Sequence, residues 1–230
     1  MKFGVIAAMP EELKVLVEAL ENGVEEVALG RTYYRGQLGQ HEVVLVQSGV
    51  GKVMSAMSVA ILAQQFQVDV IVNTGSAGAV ADGIEIGDVV IARQLAYHDV
   101  DLTAFGYEYG QMSAQPLYFE ADQDLVAQMT DVLTQQQVTA HLGLIATGDS
   151  FIAGQDKIAA IKGHFPEVLA VEMEGAAIAQ AAQSIGLPFL VIRAMSDTAQ
   201  GDANITFDEF IIEAGKRSAQ ALISLLRKTK

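Results

Sequence analysis

Val68-Asp69-Val70-Ile71-Val72-Asn73-Thr74-Gly75-Ser76-Ala77-Gly78 is the stretch whose reading decides the fold. Its first half is an apolar run that ends in small and polar residues. A short run of this kind, bounded by glycine, predicts a strand buried on both faces. We therefore expect a strand over residues 68–73 and a turn over 74–78. Small residues in that turn let a ligand approach the backbone closely.

Working outward, the same kind of run recurs at 2–8, 86–93, 141–146, 169–172 and 189–194. Between these runs lie helical patterns: one opening at Pro10, with Glu11 and Glu12 in its first turn, then 53–65, 125–136, 155–162, 175–184 and a long amphipathic one over 207–228. Residues 33–38 and 42–47 alternate around Gly39-Gln40 and predict a hairpin. Buried strands alternating with helices indicate an α/β domain, and the hairpin makes a purely parallel sheet improbable. The expected architecture is a three-layer sandwich, a mixed central sheet flanked by helices. No repeat, low-complexity tract or linker interrupts it, so residues 1–230 read as one domain.

Composition narrows the function. The chain of 230 residues carries 28 acidic and 14 basic side chains, a net charge of −14. Such a surface repels phosphate backbones, and no basic cluster offsets it, so nucleic acid is not the expected partner. No apolar run approaches the ~20 residues of a membrane span. The opening MKFGVIAAM is too short for an export signal and is followed by two acids, which points to a cytoplasmic protein. Cysteine is absent, which removes thiolate metal sites and nucleophiles. The four histidines show no metal-ligand spacing; His98-Asp99 with Asp101 is the one His/Asp cluster and reads as structural. Neither a metal nor a cofactor is expected.

Ser48-Gly49-Val50-Gly51-Lys52 fails as a P-loop, because Val46 stands where the first glycine belongs and Val53 replaces the magnesium-binding hydroxyl. The carboxylates are more informative. Glu172-Met173-Glu174 ends an apolar run and opens a small-residue helix. Acids there are costly unless paired or used, and strand alternation would turn 172 and 174 to one side with Met173 opposite. Arg193 lies inside the apolar run that ends at Asp197; a buried arginine needs an anion, and a glutamate is the natural candidate. In open α/β sheets ligands bind beyond the carboxyl ends of strands, where these acids and glycines fall.

Eight motifs in order carry a resemblance: Ala8-Met9-Pro10-Glu11-Glu12, Ser48-Gly49-Val50-Gly51-Lys52, Asn73-Thr74-Gly75-Ser76-Ala77-Gly78, Tyr97-His98-Asp99-Val100-Asp101, Thr103-Ala104-Phe105-Gly106-Tyr107, Thr147-Gly148-Asp149, Ala170-Val171-Glu172-Met173-Glu174 and Arg193-Ala194-Met195-Ser196-Asp197. Together they span nearly the whole chain. The sequence resembles the 5'-methylthioadenosine/S-adenosylhomocysteine nucleosidases of the purine nucleoside phosphorylase superfamily.

The resemblance implies a nucleoside phosphorylase-like fold and hydrolysis of 5'-methylthioadenosine, S-adenosylhomocysteine and also 5'-deoxyadenosine, in methionine salvage. It implies that Asp197 protonates the leaving adenine, that Glu12 activates water, and that Glu174 holds the ribose hydroxyls with support from Glu172. Arg193 and Ser76 would orient Glu12 and the water, beside Ala77 and Gly78. Phe151 would stack on adenine and the Ile152 backbone would read its edge. Met9, Val50, Met173 and Phe207 would line the 5' slot. Phe105 would enter a neighbouring subunit's site, making a homodimer.

Val50 and Ser113 depart from the isoleucine and proline of the family pattern, which touches substrate range. A phosphorylase of the same fold is the nearest rival; Glu11 and Glu12 would repel phosphate where it needs attraction. A silent nucleoside-binding protein would have lost one of Glu12, Glu174 and Asp197. A larger 5' group, as in aminodeoxyfutalosine, stays open.

Overall fold

The computed structural model describes residues 1–199 and 203–228. In chain order it contains β1 (Lys2–Ala7), α1 (Pro10–Ala19), β2 (Glu21–Ala28), β3 (Arg31–Leu38), β4 (His41–Gln47), α2 (Lys52–Gln64), β5 (Val70–Ala79), β6 (Val89–Tyr97), β7 (Phe119–Glu120), α3 (Gln123–Gln135), β8 (Ala140–Thr147), α4 (Gln155–His164), β9 (Val168–Glu172), α5 (Gly175–Ser184), β10 (Phe189–Asp197) and α6 (Ala203–Lys228).

The strands form one mixed sheet. β1 lies between β4 and β5, parallel to both. β4, β3 and β2 continue outward as an antiparallel ribbon. On the other side β5 pairs with β10 and with β9, β10 with β6, β6 with β8, and β8 with β9. These five pairings close a ring, so half of the sheet curls into a small barrel. Helices α1, α3 and α6 pack on one face and α2 with α5 on the other. This is the mixed, helix-flanked sheet expected from the sequence.

Burial explains why the strands read so clearly. Val5, Ile6, Val70, Ile71, Val72, Leu190, Val191 and Ile192 are all fully buried. Removing one such side chain to alanine costs about 2–5 kcal/mol for a leucine or isoleucine. Gly215 lets α6 lie against the start of α1, because a Cβ there would come 3.1 Å from the Glu12 Cα.

Three differences from the sequence reading bear on the site. First, β5 does not end at Asn73. It continues to Ala79, and Gly75, Ser76, Ala77 and Gly78 are strand residues paired with Arg193, Ala194, Met195 and Asp197 of β10. The expected turn is strand because β10 supplies backbone partners for every one of those residues. Small side chains leave room there: a Cβ on Gly75 would fall 2.6 Å from Arg193 Nη1 and 2.7 Å from Glu12 Oε1. Second, β2 has no counterpart in the sequence reading. Its polar, largely exposed residues carry no apolar period, and it forms as an edge strand on β3. Third, β6 begins at Val89 rather than 86 and runs to Tyr97, bringing the following His98 and Asp99 to the same end of the sheet as Thr147 of β8.

Candidate active site

Strand ends and helix starts gather around one cavity of about 280 Å³, near the lower end of the ~300–1,000 Å³ usual for small-molecule sites. The β1–α1 junction contributes Met9 and Glu12, the β4–α2 loop Val50, and the end of β5 Ser76, Ala77 and Gly78. The β8–α4 connection contributes Phe151 and Ile152, the β9–α5 turn Glu172, Met173 and Glu174, β10 Arg193 and Asp197, and α6 Phe207. Every candidate from the sequence reading is there except Phe105, which stands 80% exposed on a short turn away from the cavity.

Glu12 is placed by the start of its own helix. Pro10 occupies the first turn, where a missing N–H costs nothing. Two turns of logic meet at one carboxylate: Glu12 Oε2 accepts from the N–H groups of Ala8 (2.9 Å) and Met9 (3.0 Å), closing the helix end, while Oε1 accepts from Ser76 N and Ser76 Oγ, both at 3.0 Å. Thus α1 is tied to β5.

Glu172 and Glu174 flank the turn from β9 into α5. Because β9 ends at Glu172, strand alternation stops there, and Met173 lines the cavity beside both acids. Glu172 Oε2 accepts from Glu174 N (3.0 Å) and Gly175 N (2.7 Å), capping α5, and its other oxygen accepts from Thr147 Oγ1. Arg193, 1% exposed, donates through Nη2 to Glu172, Glu174 (3.3 Å) and Asn73, and through Nη1 to the Ser76 carbonyl (3.3 Å). Its anionic partners are the two glutamates of the turn, and it reaches Glu12 through Ser76.

Charge chemistry follows from burial. Glu174 is 4% exposed. Burial above all, with the charges of Glu172 and Glu12, pushes its carboxyl up to about 7 against the pull of Arg193 and the Gly51 N–H (2.9 Å). Asp197 is also raised by burial, against donors from Ala199 N (2.7 Å) and Ser196 Oγ (3.0 Å). For Arg193, burial opposes the charge, but Glu172, Glu174 and Glu12 outweigh it and raise its value. Acids poised in this way in a cleft mark functional sites.

Elsewhere, the His98 cluster splays apart. Asp99 pairs with Lys52, Asp101 holds Thr103, and the His98 ring lies against Gly148. Among the described residues no group of three or more His, Cys, Asp or Glu could hold a metal ion. Ser113 lies outside the cavity, its hydroxyl 3.0 Å from that of Tyr107.

A sequence profile of the phosphorylase superfamily matches residues 2–227. A 5'-methylthioadenosine/S-adenosylhomocysteine nucleosidase from Staphylococcus carnosus is 46% identical, over 97% of this chain and 98% of its own. The chain belongs to this nucleosidase family. The structure of a 5'-methylthioadenosine/S-adenosylhomocysteine nucleosidase from S. pneumoniae with the transition-state inhibitor MT-ImmA is 70% identical, with a TM-score of 0.97 over 99% of both chains. A futalosine hydrolase from Helicobacter pylori is 31% identical, with a TM-score of 0.96, covering all of this chain and 98% of its own.

Sequence reasoning missed several participants in this family member. Ser150, Val171 and Ser196 also line the cavity, and Asn73, Thr147 and Gly51 hold Arg193, Glu172 and Glu174. Asn73 and Thr147 had a legible signal, a polar side chain at the end of an apolar run. The Gly51 amide had none, since backbone donors carry no sequence identity.

Proposed function

We propose that the chain hydrolyses the N-glycosidic bond of 5'-methylthioadenosine and S-adenosylhomocysteine, releasing adenine and the 5'-substituted ribose. One observation carries this reading. Glu12, Glu174 and Asp197 meet at one cavity, and Arg193, the one cation among its described lining residues, is already bound to two glutamates. Phosphate finds no uncommitted positive group there, whereas water finds an acceptor in Glu12. This favours hydrolysis over phosphorolysis.

Cleavage of an N-riboside builds positive charge on the sugar and negative charge on the leaving base. Asp197, whose pKa burial raises, gives a proton to adenine, so the base departs neutral. Glu174 holds the ribose hydroxyls and offsets the developing positive charge. Glu12 receives a proton from the attacking water. Of its four donors the Ser76 hydroxyl alone can rotate, and it yields a lone pair to that water. Arg193 keeps Glu172 and Glu174 in place. Phe151 stacks on adenine, and Ile152 presents its backbone to the base edge.

Met9, Val50, Met173 and Phe207 form an apolar wall that recognises alkyl surface rather than sulfur, which supports 5'-deoxyadenosine as a further substrate. Such products suit methionine salvage and the clearing of methyl-transfer by-products, a role we assign to a single catalytic domain acting in the cytoplasm. Phe105 is the most exposed phenyl ring described, and Val50, Val53 and Met57 are exposed as well. These exposed apolar side chains support a homodimer in which Phe105 completes the neighbouring site. A second reading, a larger 5' group such as that of aminodeoxyfutalosine, draws support from the futalosine hydrolase likeness and from Val50, half exposed at the cavity.

Incubation with 5'-methylthioadenosine, with and without phosphate, tests the reading. Free methylthioribose in both cases is the expected sugar product; a ribose 1-phosphate made only with phosphate overturns it. A Phe105→Ala variant is expected to raise KM, and a fully active monomer in sedimentation and assay at matched concentrations contradicts the shared site.

A further inference from the structure

We infer that Asp149, joined to Lys52 and Asp99, is a positioning residue that holds two walls of the cavity in register: the Gly51 amide against Glu174, and the segment carrying Phe151 and Ile152. Calling these the ribose and base walls rests on the functional reading above.

Helix α2 starts at Lys52 after Gly51, which has no side chain to cap it. The first N–H groups of a helix need partners from elsewhere. Asp149, on the connection after β8, supplies one: its Oδ1 accepts from Lys52 N at 2.9 Å. A carboxylate there is also favoured by the helix dipole. Lys52 Nζ donates to both oxygens of Asp99, at 2.8 and 2.7 Å, and lies 3.6 Å from Asp149 Oδ2. Asp99 Oδ2 in turn accepts from Asp149 N at 2.8 Å. The three residues close a cycle that joins the start of α2 to the segments following β6 and β8.

The neighbours of this cycle on either side bear on the cavity, Gly51 through Glu174 and Phe151 by lining it. Gly51 has a backbone conformation open to glycine (φ 101°), and a Cβ there would meet Asp149 Oδ1 at 3.2 Å. Its N–H, one residue before the capped amide, is the donor that grips Glu174 Oε1. On the other side Phe151 follows Asp149 by two residues in a segment without helix or strand. Such a segment takes its place from contacts like these. None of the three clamp residues lines the cavity, so they act through others.

The test uses the full chain with Asp149→Ala, Asp149→Asn and Lys52→Met. Amide exchange in peptides covering Gly51 and Lys52, adenine affinity by calorimetry, kcat and KM for 5'-methylthioadenosine, and Tm are measured together. Asp149→Ala is expected to speed exchange, weaken adenine binding and lower kcat about 10–100-fold, the scale of an ångström-level misplacement. Asp149→Asn keeps an oxygen for Lys52 N and is expected to recover most of that kcat, with Lys52→Met between them. Unchanged exchange, adenine affinity and kcat in Asp149→Ala overturn the inference. So does an equal loss in the Ala and Asn variants that only follows Tm. If the unmodified chain releases no adenine, the functional reading fails, while exchange at Gly51 and Lys52 still decides the clamp.

Discussion

Glu12 and Asp197 are equally buried, each 2% exposed, and yet the two ends of the cavity hold them differently. Glu12 accepts from four donors, three of them backbone N–H groups that cannot move away. Among the described residues Asp197 accepts from two, both supplied within two residues of itself. Burial raises the Asp197 pKa because those two donors do not match the water it has lost. The lesson is that burial alone does not set the role of an acid. In the proposed mechanism the supply of donors separates the carboxyl held as an oriented acceptor from the one that gives a proton.

The largest effect that sharpens this contrast is at the poorly supplied end. Asp197→Asn is expected to lower kcat for 5'-methylthioadenosine toward the upper part of the ~10²–10⁴-fold range of general acid help. The same variant should lose little on a methylthioriboside of 4-nitrophenol, whose leaving group departs without a proton. Equal losses on both substrates break the acid assignment.

Next comes the well-supplied end. Glu12→Gln keeps the shape but puts an amide among four donors. It is expected to lower kcat by about 10²–10³-fold, within the same range for a catalytic base, while a tight-binding inert analogue still binds. Parallel loss of binding and rate shows that Glu12 chiefly builds the site.

The smallest and finest test is the pH profile of Glu174, which among the described residues accepts from two donors, one of them the charged Arg193. In the proposed mechanism its carboxylate form is the working one, and burial pushes that carboxyl up to about 7. The carboxyl is protonated below that value, so kcat/KM should fall as pH drops through about 7. The residual activity of Glu174→Gln should lack that limb. A wild-type profile flat from pH 6 to 8, a window set by the reference range of carboxyl shifts, contradicts it.

Much of this could be read before any fold was known. Residues 3–7 of β1 and 189–192 of β10 read as strand because they are apolar and buried on both faces. Arg193 stood out for the same reason, as one charge inside such a run. β2 was unreadable because an edge strand with exposed residues has no burial to imprint a pattern. The stretch 74–78 misread as a turn because glycine and serine signal turns locally, and only β10, more than a hundred residues later, made it strand.

The sequence by itself determined which acids exist, that they fall at the ends of buried strands, and the family to which they belong. Those are properties of short apolar runs and residue identity. The tertiary structure decided what each acid can do. The Ser76 donors lie 64 residues from Glu12, the Gly51 amide 123 from Glu174, and Arg193 about 20 from both glutamates. Protonation and orientation depend on such distant donors and on lost water, and the closing of the sheet brings them to one point.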